Sequence, residues 1–293
     1  MTTDHSFAGT YPAIVTPFHE DGSIDFEGVR EEVRRLEAAG VDGIVACGST
    51  GESSTLSHDE HIEVIDAVVD EADTPVIGGT GSNATHEALE LSKRAADAGV
   101  DGLLLVSSYY NLPEPEGIEH FYRTIADEVD LPQIIYNVPG RTGCNIPVET
   151  TASLASHENV AGYKAASGDV GQVSEIVEKT RDEDFTVLSG DDPLTLPIAS
   201  VGGQGVISVA ANVVPEQVCA MVDGALDGDY ESARHRHHEL GPLFRGLFVE
   251  TNPIPVKAAI EIQGVREATM RPPLTDLSSE HRAELEAILS DLE

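Results

Sequence analysis

Short apolar runs bounded by glycine or proline recur along the chain, and between them lie segments whose apolar residues return every three or four positions. The runs read as strands over residues 12–18, 43–48, 75–81, 102–107, 132–139, 160–166, 186–191 and 205–209. Their starts fall about thirty residues apart, the size of a βα unit. Segments 25–39, 58–72 and 85–98 carry the helical period, as helices packing on a sheet must. The stretch Ala39-Gly40-Val41-Asp42-Gly43 is echoed by Ala98-Gly99-Val100-Asp101-Gly102, and in each the first glycine is placed to end a helix before a strand.

Eight such units predict an α/β fold, a (β/α)8 TIM barrel over residues 1–214. Residues 215–293 exceed one closing helix. They read as a closing helix and a C-terminal helical extension packed on the barrel, with Asn252-Pro253-Ile254-Pro255 as a break between helices.

Charge narrows the classes of partner. Against 52 Asp and Glu the chain has 17 Lys and Arg, a formal charge of −35. Such a field repels phosphate backbones and anionic lipid, so neither nucleic acid nor a membrane surface is an expected partner. It also destabilises the compact state unless salt screens it, which points to a halophilic protein adapted to a salty cytoplasm. Three cysteines, Cys47, Cys144 and Cys219, are too few and too scattered for a disulfide framework or zinc knuckle. The first residues lack a basic start followed by an apolar run, and no stretch approaches the ~20 apolar residues that span a bilayer. A soluble, cytoplasmic protein is the expectation.

Barrel sites form at the C-terminal ends of the strands. There the chain places Gly48-Ser49-Thr50-Gly51-Glu52, Tyr109-Tyr110-Asn111, Tyr136 to Gly143, Lys164, and Ser189-Gly190-Asp191-Asp192. Lys164 draws the eye because only four lysines exist, Lys93, Lys164, Lys179 and Lys257, and this one sits inside an apolar strand where a charge is costly. Desolvation lowers a lysine pKa and leaves a neutral amine able to attack a carbonyl; the alternative is a lysine paired with a carboxylate inside the barrel. Tyr136 and Tyr110 are placed to shuttle protons, with Ser49 or Thr50 bridging them, and the turn 48–51 can hold a carboxylate on its backbone N–H groups. Arg141 offers a bidentate clamp for a second carboxylate, or a surface ion pair. Lys257, at a helix start, suits packing or capping. His235, His237 and His238 alternate with arginines on a helix and read as a solvated face, so no metal site is expected.

Together these motifs, with Leu188 to Asp192, Gly205 to Val209 and the run 248–257, resemble the dihydrodipicolinate synthase and N-acetylneuraminate lyase family over nearly the whole chain. The resemblance implies a Schiff base between Lys164 and pyruvate, no other cofactor, and Tyr136 as proton donor and acceptor. Ser49 and Tyr110 would complete the relay, Tyr110 from a neighbouring subunit of a homo-oligomer, a tetramer by resemblance. Thr50 and Ser49 would receive the pyruvate carboxylate, Gly190 and Ile207 would line the pocket, and Arg141 would hold the carboxylate of L-aspartate 4-semialdehyde, in the route to diaminopimelate and lysine. Ser53, Ser54, His58, His61, Asn83, Glu87 and Tyr109 match the family's L-lysine inhibition site. Ser49 stands where threonine is usual, which keeps the hydroxyl, and Ala165 stands where glutamate is common. Two other functions fit the same pattern. One is a 2-keto-3-deoxy sugar acid or N-acetylneuraminate aldolase, against which the Arg141 clamp argues; the other is a non-catalytic barrel that binds a keto acid or amino acid.

Overall fold

A computed structural model describes residues 7–292. Eight parallel strands, β1 (Gly9–Pro12), β2 (Ile44–Ala46), β3 (Val76–Gly79), β4 (Gly102–Val106), β5 (Gln133–Asn137), β6 (Val160–Ala165), β7 (Thr186–Ser189) and β8 (Gly205–Ser208), pair in the order β1-β8-β7-β6-β5-β4-β3-β2. The ring closes just past β1, where Ala13 bridges Val45 and the Ile14 N–H donates to the Val45 carbonyl at 3.0 Å. The chain is a (β/α)8 barrel with C-terminal helices.

Helices α1 (Phe26–Ala38), α2 (His58–Val69), α3 (Thr85–Ala98) and α4 (Pro115–Glu128) follow the first four strands. A one-turn α5 (Pro139–Thr142) and α6 (Val148–Ala155) follow β5, α7 (Val170–Thr180) follows β6, α8 (Thr195–Ser200) follows β7 and α9 (Pro215–Leu226) follows β8. Beyond these lie α10 (Tyr230–Gly246), α11 (Ile254–Ile262) and α12 (Ser279–Leu292). The two echoed glycines behave alike: Gly40 and Gly99 take left-handed φ of +86° and +95° just after α1 and α3, a conformation that costs glycine nothing.

One strand lies earlier than the apolar pattern placed it. Residues 12–18 were the expected first strand, whereas pairing with β8 begins at Gly9 and ends at Pro12. The strand is Gly-Thr-Tyr-Pro, whose polar and turn-forming residues hide a fully buried run; the more apolar stretch after it makes the single bridge to β2 and then turns away.

Burial sorts the side chains into layers. Tyr11, Val45, Ile77, Leu104, Ile134, Ala161, Leu188 and Ile207, one from each strand, fill the barrel interior. Outward-facing Ile44, Leu103, Leu105, Ile135, Tyr163 and Val187 pack under helix residues such as Leu36, Ile65, Leu91, Phe121 and Ile176. A further cluster joins Val206 to Val218, Val222, Leu243, Phe244, Val256 and Leu285, so the C-terminal helices share a core with the eighth strand. Full burial of each large apolar side chain contributes roughly 1.5–3 kcal/mol, and the joint core fixes α11 against the mouth of the barrel.

Candidate active site

Tyr136 and Lys164 are the penultimate residues of β5 and β6, and the strand register pairs them directly, with Leu188 of β7 next in the row. All three therefore point into the barrel at one level, near its C-terminal rim. The Lys164 nitrogen stands 4.1 Å from the centre of the Tyr136 ring. Burial pulls the amine down to about 8; Asp191 and Asp192 oppose that by favouring the ammonium, and Arg141 adds to the lowering. At neutral pH about a tenth of the amine is then unprotonated, against less than a thousandth for an ordinary lysine. Burial pushes the Tyr136 phenol up to about 12, with Arg141 pulling it back, Asp191 adding to the rise and a bond to the Ser49 hydroxyl drawing it down. The phenol keeps its proton at neutral pH and can donate it.

Gly190 packs against the lysine stem: a Cβ there would stand 3.0 Å from Lys164 Cε and from the Ala165 carbonyl, so glycine leaves the stem room. Asp192 lies fully buried behind it. Its carboxylate accepts the Ser208 hydroxyl and the N–H groups of Val209 and Ala210 at 3.1 and 3.0 Å, and burial raises its pKa despite these bonds. The group thus ties the end of β7 to the end of β8.

The turn after β2 is held from outside the barrel. Cys47 and Glu52, which flank Gly48 to Gly51, both adopt φ of +54°, a left-handed conformation that costs a non-glycine residue. Buried Glu52 forms an ion pair with Lys257 of α11 and accepts the Arg271 N–H at 3.3 Å, while the Thr16 hydroxyl donates to the Gly51 carbonyl at 2.7 Å. Lys257 also donates to the Thr269 carbonyl at 2.8 Å and lies over the Phe18 ring. These contacts over-determine the turn and sustain its strain. On the same side, Asn252 donates from Nδ2 to Thr50 Oγ1 at 2.9 Å and accepts Arg141 Nη2 on its backbone oxygen at 3.1 Å.

A model of the dihydrodipicolinate synthetase family matches residues 6–292. The chain belongs to the dihydrodipicolinate synthetase family. Among curated family members, proteins named 4-hydroxy-tetrahydrodipicolinate synthase from Haloarcula marismortui and Natronomonas pharaonis are 64% and 62% identical to it. The alignments cover 98% of this chain and 94% of the first relative, and 100% of both for the second. Among solved family structures, the dihydrodipicolinate synthase of Acinetobacter baumannii complexed with pyruvate superposes with a TM-score of 0.95 at 40% identity, covering 98% of this chain and 99% of that one. The lysine-bound enzyme of Cyanidioschyzon merolae superposes with a TM-score of 0.94 at 39% identity, covering 98% of each.

Of the residues the sequence marked in this family member, Lys164, Tyr136, Ser49, Thr50, Gly190 and Ile207 gather at one end of the barrel interior, with Arg141 of α5 at its rim. Tyr110 does not join them within the chain: it is 89% exposed, at φ +70°, in a loop that also exposes Tyr109 and Leu112. Ser53, Ser54, His58, His61, Glu87 and Tyr109 line a cavity of about 390 Å3 that also reaches Ser49 and Arg141. His58 Nε2 lies 3.1 Å from Glu87, which also accepts the Ser82 hydroxyl. His61 contacts the Gly79 carbonyl at 2.7 Å and is driven down to about 4 by burial, so it is neutral at physiological pH. Asn83 is not on the cavity wall; its Oδ1 is buried without a partner.

The roles of Asn252 and of the Glu52–Lys257 pair had no signal beyond the run 248–257, in which Lys257 suited packing or capping equally well. Among the described residues no group of three or more His, Cys, Asp or Glu is arranged to hold a metal, and no helix is long and apolar enough to cross a membrane.

Proposed function

We propose that the chain condenses pyruvate with L-aspartate 4-semialdehyde, the activity for which its curated relatives are named. The observation that carries this is the Lys164 amine, buried beside the Tyr136 phenol at the strand ends with its pKa pulled down to about 8. In this scheme the neutral amine adds to the pyruvate keto carbon, and Tyr136 passes a proton to the carbinolamine oxygen, which leaves as water. The resulting iminium is the electron sink for loss of a methyl proton, so no further cofactor enters. The enamine carbon then attacks the aldehyde carbon, and the amino group of the semialdehyde displaces Lys164 as a six-membered ring closes. Thr50 and Ser49 receive the pyruvate carboxylate, Gly190 and Ile207 line its pocket, and Arg141 receives the carboxylate of the semialdehyde.

Tyr110 completes the proton relay from a second copy of the chain in a homotetramer. Its near-total exposure on a loop with two other bare apolar side chains supports an interface there. The adjoining cavity takes L-lysine as a feedback inhibitor, its ammonium groups met by Glu87 and the hydroxyls of Ser53 and Ser54. Support comes from the cavity's lining and from the lysine-bound relative of the same fold. Millimolar lysine should slow turnover, and Glu87→Ala should raise the half-inhibitory concentration about tenfold or more.

Parallel assays with pyruvate plus aspartate semialdehyde, and with 2-keto-3-deoxygluconate in the cleavage direction, test the substrate assignment. Pyruvate consumption dependent on the semialdehyde is expected. Cleavage of the sugar acid without turnover of the semialdehyde would overturn it.

A further inference from the structure

We infer that Asn252, at the entry to α11, is a positioning residue that turns the Thr50 hydroxyl proton into the site, toward the carboxylate of the bound keto acid. The inference rests on Thr50 being that carboxylate's partner. A threonine hydroxyl has one proton and two lone pairs. Here Asn252 Nδ2 donates to Thr50 Oγ1 at 2.9 Å between two buried side chains, so one lone pair is engaged and the proton is left to donate. Among the described residues the Thr50 hydroxyl donates to no acceptor, and its neighbour in the turn, Ser49, is close enough to the Tyr136 phenol to draw its pKa down. The opposite setting of the carboxamide would spend the only Thr50 proton on Asn252 and leave two buried N–H donors unpaired, a cost of about 1–3 kcal/mol for each. In the orientation present, one of those two N–H donors is paired with Thr50, which leaves the other N–H and the Asn252 Oδ1 acceptor without partners.

The position of Asn252 is itself fixed. Its backbone oxygen holds Arg141 at 3.1 Å, and a turn further along α11 the buried Lys257–Glu52 pair fastens the same helix to the far side of the Thr50 turn. One residue of the C-terminal extension therefore touches both carboxylate subsites, Thr50 through its side chain and Arg141 through its main chain. A side-chain change should disturb the first and largely spare the second.

The test is the pyruvate concentration that half-saturates borohydride trapping on Lys164, measured for the native protein, Asn252→Leu, Thr50→Val and the double variant. Each single change should raise it about tenfold, the worth of one oriented hydrogen bond, and the double variant should match Thr50→Val, because Asn252 acts through that hydroxyl. Asn252→Asp, isosteric with the native residue, serves if the leucine variant does not fold. Its carboxylate captures the Thr50 proton, and the same loss should vanish in the Thr50→Val background. An unchanged half-saturation in the Asn252 variants, or effects that multiply in the double variant, overturns the inference while leaving the lysine chemistry intact. Failure of the native protein to form any adduct removes the reading of the site, and this inference with it.

Discussion

The Lys164 amine lies 4.1 Å from the centre of the Tyr136 ring, its register partner on the adjacent strand. An ammonium over a phenol face is favoured by the ring quadrupole, and Asp191 and Asp192 favour it too. Burial nonetheless wins and brings the amine to about 8. The site thus keeps lysine poised between a stable cation and a nucleophile, with a protonated phenol on the next strand.

The rate of pyruvate adduct formation should therefore rise with pH, with a midpoint near 8, since only the unprotonated amine attacks. Asp191 favours the ammonium, so Asp191→Asn should move the midpoint to lower pH. Trapping rates across pH 6–10 (the range on the order of two units either side of the midpoint) check this, and a midpoint raised by Asp191→Asn contradicts it.

Lys164→Met should abolish turnover and stabilise the fold. The folded-state pKa of about 8 lies below the ordinary 10.5, so beneath pH 8 the protonated amine is penalised by burial, and the penalty fades as pH rises from 8 to 10.5. A gain of about 1–3 kcal/mol is expected at pH 7, read from denaturant melts, with little gain above pH 10.5. Equal destabilisation at both pH values would contradict the assignment.

Arg141→Ala should raise the KM for aspartate semialdehyde by about a hundredfold while adduct formation with pyruvate alone persists, since the proposed function assigns the guanidinium to the second carboxylate. Loss of the pyruvate adduct would place Arg141 at the first carboxylate instead.

The formal charge of −35 should make the fold salt-dependent. Screening shortens to about 3 Å in molar salt, so the melting temperature should climb between dilute buffer and molar KCl. A constant melting temperature contradicts the halophilic reading.

Lys164 was legible in the sequence for a physical reason: in a chain of four lysines, one inside an apolar strand must be buried, and the strand register then sets it beside Tyr136. The barrel was legible because its period of apolar runs is the fold. The first strand was displaced because Gly9-Thr10-Tyr11-Pro12 carries its burial in residues that read as a turn. Asn252 and the Glu52–Lys257 pair were silent because their partners lie 202 and 205 residues away, and no local pattern encodes such a meeting. Tyr110 was marked in the sequence, but within one chain its side chain is exposed and meets none of the other marked residues.

The most direct test incubates the protein with pyruvate and sodium borohydride in high salt, measures the intact mass and maps the modified peptide, with Lys164→Ala as control. One reduced pyruvate per chain, on Lys164 and absent from the control, is the predicted result. A folded native protein that forms no adduct, or forms it on another lysine, would contradict the Schiff-base chemistry on which the proposed function stands.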